Sequence, residues 1–315
     1  TGTQLDALSD DELKQAVQTT DIFARTTPEH KLRLVMALQS LGLTVSMTGD
    51  GVNDAPSLKR ADAGVAMGLK GSEAAKEAAE VVLADDNFAS IAAAVEQGRT
   101  VYANIKKVVS WTLPTNAGEA LTIIVAMLAG LPYPITPVQI LWVNMITAVT
   151  LGMALAFEPT DKDTMKKPPR PRGQALIQPA LVWQIMLVGS LFFLAVFSIY
   201  QYAIEAGHEV EYARTQAMNM LVGLEIFYLF FIRTMHRRSI SLSGIRGTRV
   251  VWSAVGFVVI AQLAICYIPV LQTVFGTRAP DITDNLLIVL TGIVMLIVLE
   301  MEKVIRLNVY ARVKK

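Results

Sequence analysis

The chain has 315 residues, of which 53% are hydrophobic and 17% are charged, and its mean hydropathy is +0.44. This apolar excess is too large for one soluble domain and indicates a protein with both soluble and membrane-embedded parts. The formal net charge of +1 gives no basis for nucleic-acid binding. The single cysteine, Cys266, lies in an apolar segment, so neither an internal disulfide nor a paired-cysteine metal site is expected.

Helix and strand signals alternate over the first hundred residues. Ser9-Asp10-Asp11-Glu12 predicts the cap of a helix that runs towards Thr19, and Thr27-Pro28-Glu29 predicts the start of a second helix that ends near Gly42. Strands are expected at 21–25, 43–47, 63–67 and 81–83, with a short helix at 54–60. Such alternation predicts a doubly wound parallel sheet that binds its ligand at the carboxyl ends of the strands.

The turn TGDGVND at residues 48–54 occupies one of these strand ends. Asp50 follows a buried strand, and carboxylate oxygens held in such a place are the ligands that magnesium prefers. Gly49 and Gly51 allow the backbone to approach a phosphate closely. These features predict a site for magnesium and phosphate.

Three further residues fit the same site. Asn53 can donate a hydrogen bond to a phosphoryl oxygen, Asp54 can shape the turn, and Lys31 can neutralise phosphoryl charge as a point cation. The alternative is a capped strand-to-helix turn, in which Asn53 or Asp54 is the helix cap and Pro56 is the first-turn proline.

Six apolar segments come near the ~20 residues that cross a bilayer. They are residues 108–130, 137–157, 181–203, 217–235, 250–271 and 285–304. A helical pattern continues from Phe88 into the first of them without a turn signal, which predicts one long helix. The aromatic run of Phe227, Tyr228, Phe230 and Phe231 is expected to pack helices or to face lipid.

The charges of the connectors indicate an orientation. Basic residues occupy two connectors and the end of the chain: Lys162, Lys166, Lys167, Arg170 and Arg172, then Arg237, Arg238, Arg246 and Arg249, and finally Arg312, Lys314 and Lys315. The opposite connectors hold only Arg214 and Arg278. By the positive-inside rule, the soluble domain and the C-terminus are expected in the cytoplasm of a multi-pass membrane protein.

Polar residues within the apolar segments suggest an ion site, because an ionisable group at mid-membrane costs about 2.5–3.5 kcal/mol on insertion. Oxygen donors suited to a hard cation occur at Asn116, Glu119, Asn144, Thr147 and Glu225. Asn116 and Glu119 are three residues apart and therefore share a helix face. Pro114 removes a backbone hydrogen bond and frees a carbonyl nearby. For Asn144 and Thr147, hydrogen bonding between helices is an alternative.

The segment TGDGVNDAPSLKRADAGVAMG, which begins at Thr48, resembles the hinge signature of P-type ATPases. These are ion pumps whose phosphorylation domain has a haloacid-dehalogenase-like fold. FARTTPEHK resembles the segment with the phosphate-site lysine of the family, and VVLADDNF resembles the segment that leads into its stalk helix. NAGE, PVQILWVNMIT and MKKPPRP resemble the membrane region of the type II pumps, which include the calcium pumps.

The resemblance implies a fold for each part of the chain. Residues 1–88 would form a partial, Rossmann-like α/β phosphorylation domain and residues 89–107 a stalk helix. Residues 108–304 would form an all-α transmembrane bundle of six helices, and residues 305–315 a cytoplasmic tail. A bacterial plasma membrane is the expected location.

The resemblance also implies roles for the site residues. Asp50 would bind Mg²⁺, Lys31 and Asn53 would contact the phosphoryl group, and Asp54 would support the turn. Thr48, Gly49 and Gly51 would line the cofactor site, with ATP as the substrate.

The sequence favours one transported ion and is compatible with others. Calcium pumps have an aspartate directly after the residues that match Asn144 and Thr147, whereas this chain has Ala148. Calcium is the first expectation, and magnesium, sodium, potassium or a proton are alternatives.

The phosphorylated Asp-Lys-Thr-Gly-Thr motif of the family does not occur in this sequence, nor do its nucleotide-binding domain, its Thr-Gly-Glu loop and its first four spans. We therefore expect the C-terminal part of an ATP-driven cation pump, whose partners are the transported cation, the lipid bilayer and an N-terminal part. Alone it is expected to form no phosphoenzyme, because magnesium ligands without a nucleophile do not make one. The alternatives are a non-catalytic membrane module that binds an ion or a partner, and a membrane-tethered magnesium phosphatase.

Overall fold

A computed structural model describes residues 1–171, 173–233 and 248–313, with side chains as far as residue 308. It divides into two compact units, Thr1–Arg99 with Asp161–Gln174 and Thr100–Thr160 with Ala175–Lys315. Several basic residues used above for orientation lie outside the described residues: Arg172, Arg237, Arg238, Arg246, Lys314, Lys315 and the side chain of Arg312. The cytoplasmic orientation therefore stays a prediction.

The first unit consists of short helices and a small sheet. Its elements are α1 (Gly2–Asp6), α2 (Asp10–Thr19), α3 (Pro28–Ser40), β1 (Ser46–Gly49), α4 (Ala55–Arg60), β2 (Ala63–Met67), α5 (Glu73–Ala78) and β3 (Val81–Leu83). The two predicted helix starts are confirmed, since Ser9 caps α2 and Thr27 caps α3 through side-chain hydrogen bonds to the first turn. The helix expected at 54–60 is confirmed as α4, which begins one residue later and follows a 3₁₀ turn, Val52–Asp54.

The described sheet has three parallel strands in the order β1-β2-β3. Gly49 is paired with Ala66, and Met67 is paired with Leu83. The strands expected at 63–67 and 81–83 are confirmed. A parallel sheet with helical crossovers therefore forms in this unit, and its assignment as a haloacid-dehalogenase-like domain stays a prediction.

Two expected strands differ from the structure. The strand expected at 21–25 is wrong: Arg25 adopts a φ of 57°, and the carbonyl of Ala24 accepts from the N–H of Gly2 at 3.1 Å instead of from a sheet neighbour. The strand expected at 43–47 begins later, at Ser46, because the N–H of Leu43 still bonds to Leu38 at the end of α3.

The predicted long helix is present as α6 (Phe88–Leu128), which has 41 residues and contains Pro114. The second unit continues with α7 (Pro137–Thr147), a π-helical segment (Ala148–Gly152), α8 (Met153–Ala156), α9 (Pro179–Glu205), α10 (Val210–Arg233), α11 (Arg249–Tyr267), α12 (Pro269–Phe275) and α13 (Ile282–Val313). The chain is thus mostly helical.

Five described segments are long and apolar enough to cross a membrane. They are Pro137–Ala156, Pro179–Glu205, Val210–Arg233, Arg249–Tyr267 and Ile282–Asn308. These correspond to five of the six expected spans, although the expected end of one at residue 235 lies outside the described residues. The span expected at 108–130 overlaps the end of α6, which stops at Leu128, and it is not among the five because polar residues such as Asn116 and Glu119 lower its hydropathy. The count of six stays a prediction.

The core of the second unit is built around α10, most of which is buried. The rings of Phe192, Tyr228 and Phe231 lie at its centre, fully buried. At Gly118, α6 approaches α9 so closely that an added methyl group would lie 2.5 Å from the Cβ of Phe192. Small residues allow this close approach of membrane helices.

We predict that Gly118→Ala destabilises the second unit by about 1–3 kcal/mol, because the new methyl group overpacks the α6–α9 contact. Gly256→Ala is the matched control, since a methyl group there would have no neighbour within 4 Å. Thermal unfolding of the detergent-solubilised protein measures both. Equal melting temperatures for the two variants would contradict this packing.

Candidate functional site

Asp50 lies directly after β1, at the carboxyl end of the sheet, and its side chain is exposed. Its carbonyl accepts from the N–H of Ser72 at 2.8 Å, which ties the turn to the start of α5. Asn53, in the 3₁₀ turn, is exposed as well. The structure therefore places both side chains at the sheet edge, where the sequence predicts a magnesium and phosphate site.

Asp54 organises the turn from within. Its side chain is buried, and its Oδ1 accepts from Nζ of Lys31 at 2.5 Å. Its Oδ2 accepts from the backbone N–H groups of Asp50 at 3.3 Å and Gly51 at 3.2 Å. Asp54 thus fixes the backbone that carries Asp50, and it brings Lys31 to the same edge.

The three predicted cofactor-binding residues, Thr48, Gly49 and Gly51, differ in how closely they are packed. A methyl group at Gly49 would lie 2.5 Å from the Cβ of Asp54, so packing against Asp54 requires a glycine there. At Gly51 the nearest group would be Oδ2 of Asp54 at 3.7 Å, which leaves room beside the backbone. Thr48 is half-buried in β1, where it is paired with Val65.

The neighbours of Asp54 stabilise the charged form of its carboxyl group. Burial raises the pKa of this carboxyl group, but the hydrogen bonds from Lys31 and Gly51 and the charge of Lys31 outweigh burial, and the net pKa lies below its ordinary value of 3.8. Asp54 is therefore ionised at neutral pH.

Magnesium takes one or two carboxylates together with water and phosphate oxygens, and the exposed carboxylate of Asp50 fits that requirement.

A second group of polar residues lies inside the second unit. Glu119 on α6 is 7% exposed and Glu225 on α10 is 1% exposed. Nδ2 of Asn144 on α7 donates to Oε2 of Glu119 at 2.8 Å. Thr147, also on α7, lies within hydrogen-bonding reach of Glu225, and the two carboxyl groups are close enough for their charges to interact. Three helices thus bring four of the predicted residues together.

Both carboxyl groups are incompletely satisfied. Among the residues that the structure describes, Oε1 of Glu119 and Oε2 of Glu225 are buried without a hydrogen-bond partner. The hydroxyl of Thr147 donates to the carbonyl of Val143 at 2.8 Å, so its lone pairs are available to a ligand. Buried polar atoms are nearly always paired, and a bound cation or proton would supply the missing partner here.

Asn116 is not part of this group. It is exposed, whereas Glu119 is buried. Residues three apart on a helix differ by about 60° in direction, which is enough to separate a buried face from an exposed one. The predicted role of Asn116 in binding a cation stays a prediction.

The backbone beside these residues departs from regular helix. After Thr147, α7 continues as the π-helical segment, and such segments are frequent at functional sites. No group of three or more His, Cys, Asp and Glu side chains that could hold a metal was found in the described ranges. Any cation here would therefore depend on amide, hydroxyl or carbonyl oxygens in addition to two carboxylates.

The sequence does not predict two hydrogen bonds that join α6 to α10 next to this group. Nε1 of Trp111 donates to the carbonyl of Glu225 at 3.2 Å, and Oη of Tyr228 donates to the carbonyl of Ser110 at 2.9 Å. Ser110 lies four residues before Pro114, so its carbonyl is the one that the proline frees. One signal was present in the sequence, because a buried carbonyl freed by a proline needs a donor from elsewhere in the protein.

The fold and these two groups define a class of protein: an integral membrane protein with a small parallel α/β unit and acidic side chains buried among its helices. The profile of the family described as "Cation transporting ATPase, C-terminus" matches residues 132–305, more than half of the chain. The chain belongs to this family and corresponds to the C-terminal portion of a P-type ATPase.

Individual relatives extend over both units. The chain is 48% identical over 282 residues to the "Probable cation-transporting ATPase F" of Mycobacterium tuberculosis, covering 90% of this chain and 31% of that protein. It is 38% identical over 323 residues to the "Calcium-transporting ATPase 1" of Bacillus cereus, covering 98% and 36%. It is 38% identical over 292 residues to the "Calcium-transporting ATPase" of Bacillus subtilis, covering 91% and 32%. The chain therefore spans about a third of the length of these curated relatives.

We predict that Asp54→Asn destabilises the first unit by about 2 kcal/mol at pH 7, because it removes a buried charge with three donors. The lowered pKa means that this stabilisation is complete above pH 3.8 and is lost as the pH falls through the folded-state pKa, so the difference from wild type shrinks in acid. Hydrogen exchange of peptides covering β1 and β2, corrected for intrinsic pH effects, measures the difference.

Asp11→Asn is the control for this experiment. Asp11 is exposed and pairs with Lys14 on the surface of α2, so its removal changes stability little at either pH. A gap between wild type and Asp54→Asn that is the same at pH 7 and pH 3 would exclude the charge of Asp54 as its cause.

Proposed function

We propose that this chain supplies part of the phosphorylation domain and the ion-binding helices of an ATP-driven cation pump. The observation that carries the proposal is the pair of buried carboxyl groups, Glu119 and Glu225, each with an oxygen that lacks a partner among the described residues. A stable, inert helical bundle has no use for such groups, since each costs free energy on burial. A transported cation gives them a role.

In this proposal, the residues of the first unit act on phosphate. Asp50 would hold Mg²⁺, which would neutralise phosphoryl charge when bound, and Asn53 would donate a hydrogen bond to a phosphoryl oxygen. Lys31 contributes positive charge, while Asp54 keeps both Lys31 and the turn in place. Thr48, Gly49 and Gly51 would line the site that receives the phosphate of ATP or an aspartyl phosphate formed from it.

In this proposal, the helix α6 connects the phosphate site with the cation site. α6 begins at Phe88 in the first unit and includes Glu119 in the second, without interruption in its helical assignment. Formation and hydrolysis of the aspartyl phosphate would move the start of this helix and thereby change the access of a cation to Glu119. The nucleophilic aspartate would come from another part of the intact pump.

Calcium is the cation that we propose first. The relatives from the two Bacillus species carry the name calcium-transporting ATPase, and the mycobacterial relative carries only the name of a cation-transporting ATPase. Two carboxylates neutralise one divalent ion, and the oxygens of Asn144 and Thr147 suit a hard cation. Ala148 offers no further ligand, so one calcium ion per cycle fits better than two. We place the pump in a bacterial plasma membrane with both termini of this chain in the cytoplasm.

The proposal predicts that Glu119→Gln and Glu225→Gln each raise the half-saturating cation concentration of the full-length pump at least about tenfold, because each removes a charged ligand from a buried site. Uptake into membrane vesicles and ATP hydrolysis, measured with calcium, magnesium, manganese, sodium and potassium, give the half-saturating concentration and identify the ion.

Glu205→Gln is the control, because Glu205 is an exposed glutamate at the end of α9. Unchanged cation affinity in both buried-site variants would contradict the proposed site. Cation binding without any cation-stimulated ATP hydrolysis in the full-length protein would favour a non-catalytic membrane module instead.

A further inference from the structure

A buried hydrogen bond from α10 replaces the backbone hydrogen bond that Pro114 cannot make within α6. Proline has no N–H, so the carbonyl of Ser110 loses the donor that a regular helix would provide. Oη of Tyr228 donates to this carbonyl at 2.9 Å. The replacement donor therefore comes from a different helix.

A second hydrogen bond joins the same two turns in the opposite direction. Nε1 of Trp111, the residue after Ser110, donates to the carbonyl of Glu225, which lies three residues before Tyr228. We refer to Ser110, Trp111, Glu225 and Tyr228 as the kink bridge. Both aromatic side chains are fully buried, so the bonds of the kink bridge do not compete with water.

The hydroxyl of Tyr228 is also oriented from a third helix. Nε2 of Gln184 on α9 donates to it at 2.7 Å, which leaves its proton for the carbonyl of Ser110. The ring contacts Phe192 edge-on and stacks on Phe231, with centroid distances of 6.2 and 5.9 Å. The position of the phenol is thus fixed by packing as well as by hydrogen bonds.

The kink bridge includes one of the two buried glutamates, and the other lies beyond Pro114 in α6. Glu225 is itself a member of the bridge, whereas Glu119 lies beyond Pro114, about 13 Å along α6 from Ser110. The geometry of α6 around Pro114 therefore determines where Glu119 lies relative to Glu225. Calcium is bound by oxygens at about 2.3–2.6 Å, so the relative positions of the two carboxyl groups affect cation affinity.

We propose that Tyr228 is a positioning residue: its hydroxyl fixes the bend of α6 at Pro114 and thereby the separation of the Glu119 and Glu225 carboxyl groups. This inference rests on the proposed cation site. It assigns Tyr228 a role in cation affinity that does not require contact with the ion.

The test begins with Tyr228→Phe in the full-length pump. Phenylalanine keeps the ring contacts and removes only the hydroxyl, which leaves the carbonyl of Ser110 without its donor. We expect the half-saturating calcium concentration for ATP hydrolysis to rise about five- to tenfold, with the maximal rate within about twofold of wild type.

Tyr212→Phe is the matched control. Tyr212 is another buried tyrosine of α10, and its hydroxyl donates to Asp284 at 2.7 Å, away from the kink bridge. The Tyr212→Phe variant tests whether the loss of a buried tyrosine hydroxyl elsewhere on α10 also changes the affinity for the cation. We expect the half-saturating concentration to stay within about twofold of wild type.

A double-mutant cycle separates positioning from a general loss of stability. Pro114→Ala returns a backbone N–H to the carbonyl of Ser110, so that the hydroxyl of Tyr228 is no longer its required donor. In the Pro114→Ala background, Tyr228→Phe is therefore expected to change the affinity less than about twofold. Additive effects of the two substitutions would show that they act independently and would overturn the inference.

The remaining outcomes are also decisive. If wild-type pump shows no calcium-stimulated ATP hydrolysis, the proposed function fails and this inference fails with it. If wild type is stimulated and Tyr228→Phe has unchanged affinity, only the inference fails. If Tyr228→Phe does not fold, the Pro114→Ala/Tyr228→Phe protein decides: folding with the affinity of the Pro114→Ala protein supports the inference, and failure to fold overturns it.

Discussion

The burial of two carboxyl groups in an otherwise apolar helical core is the constraint on which the second unit depends. Glu119 and Glu225 come from different helices, and each retains an oxygen without a partner among the described residues. Such an arrangement is costly unless a ligand completes it. The neighbouring irregular features surround this pair: the close approach at Gly118, the proline in α6 and the π-helical segment after Thr147.

In the first unit, by contrast, the buried carboxylate of the candidate site is paired within the protein. Asp54 is buried and paired, so the turn is shaped by the protein alone and does not need a ligand to order it. Asp50 and Asn53 are left exposed at the sheet edge, which is where parallel sheets bind phosphate-containing ligands. α6 includes residues of both units, as the proposed coupling of phosphate chemistry to cation access requires.

Local chemistry explains which parts could be predicted from the sequence. The caps at Ser9 and Thr27, the strand at 63–67 and the long helix from Phe88 depend on neighbouring residues, and all four are present. The strand expected at 21–25 failed because a positive φ at Arg25 and a contact with Gly2 are tertiary effects. Similarly, helix spacing grouped Asn116 with Glu119, but only the packing of three helices shows which of the two is buried. Tyr228 was assigned to packing because its acceptor lies 118 residues away in the sequence.

The position of a bound cation tests this account most directly. We would determine the structure of the full-length pump with manganese in place of calcium and locate the ion by its anomalous scattering. The account predicts a peak between the carboxyl groups of Glu119 and Glu225, within coordination distance of an oxygen from Asn144 or Thr147. A transported ion bound elsewhere in the membrane region, with these two carboxyl groups contacting only each other, would contradict it.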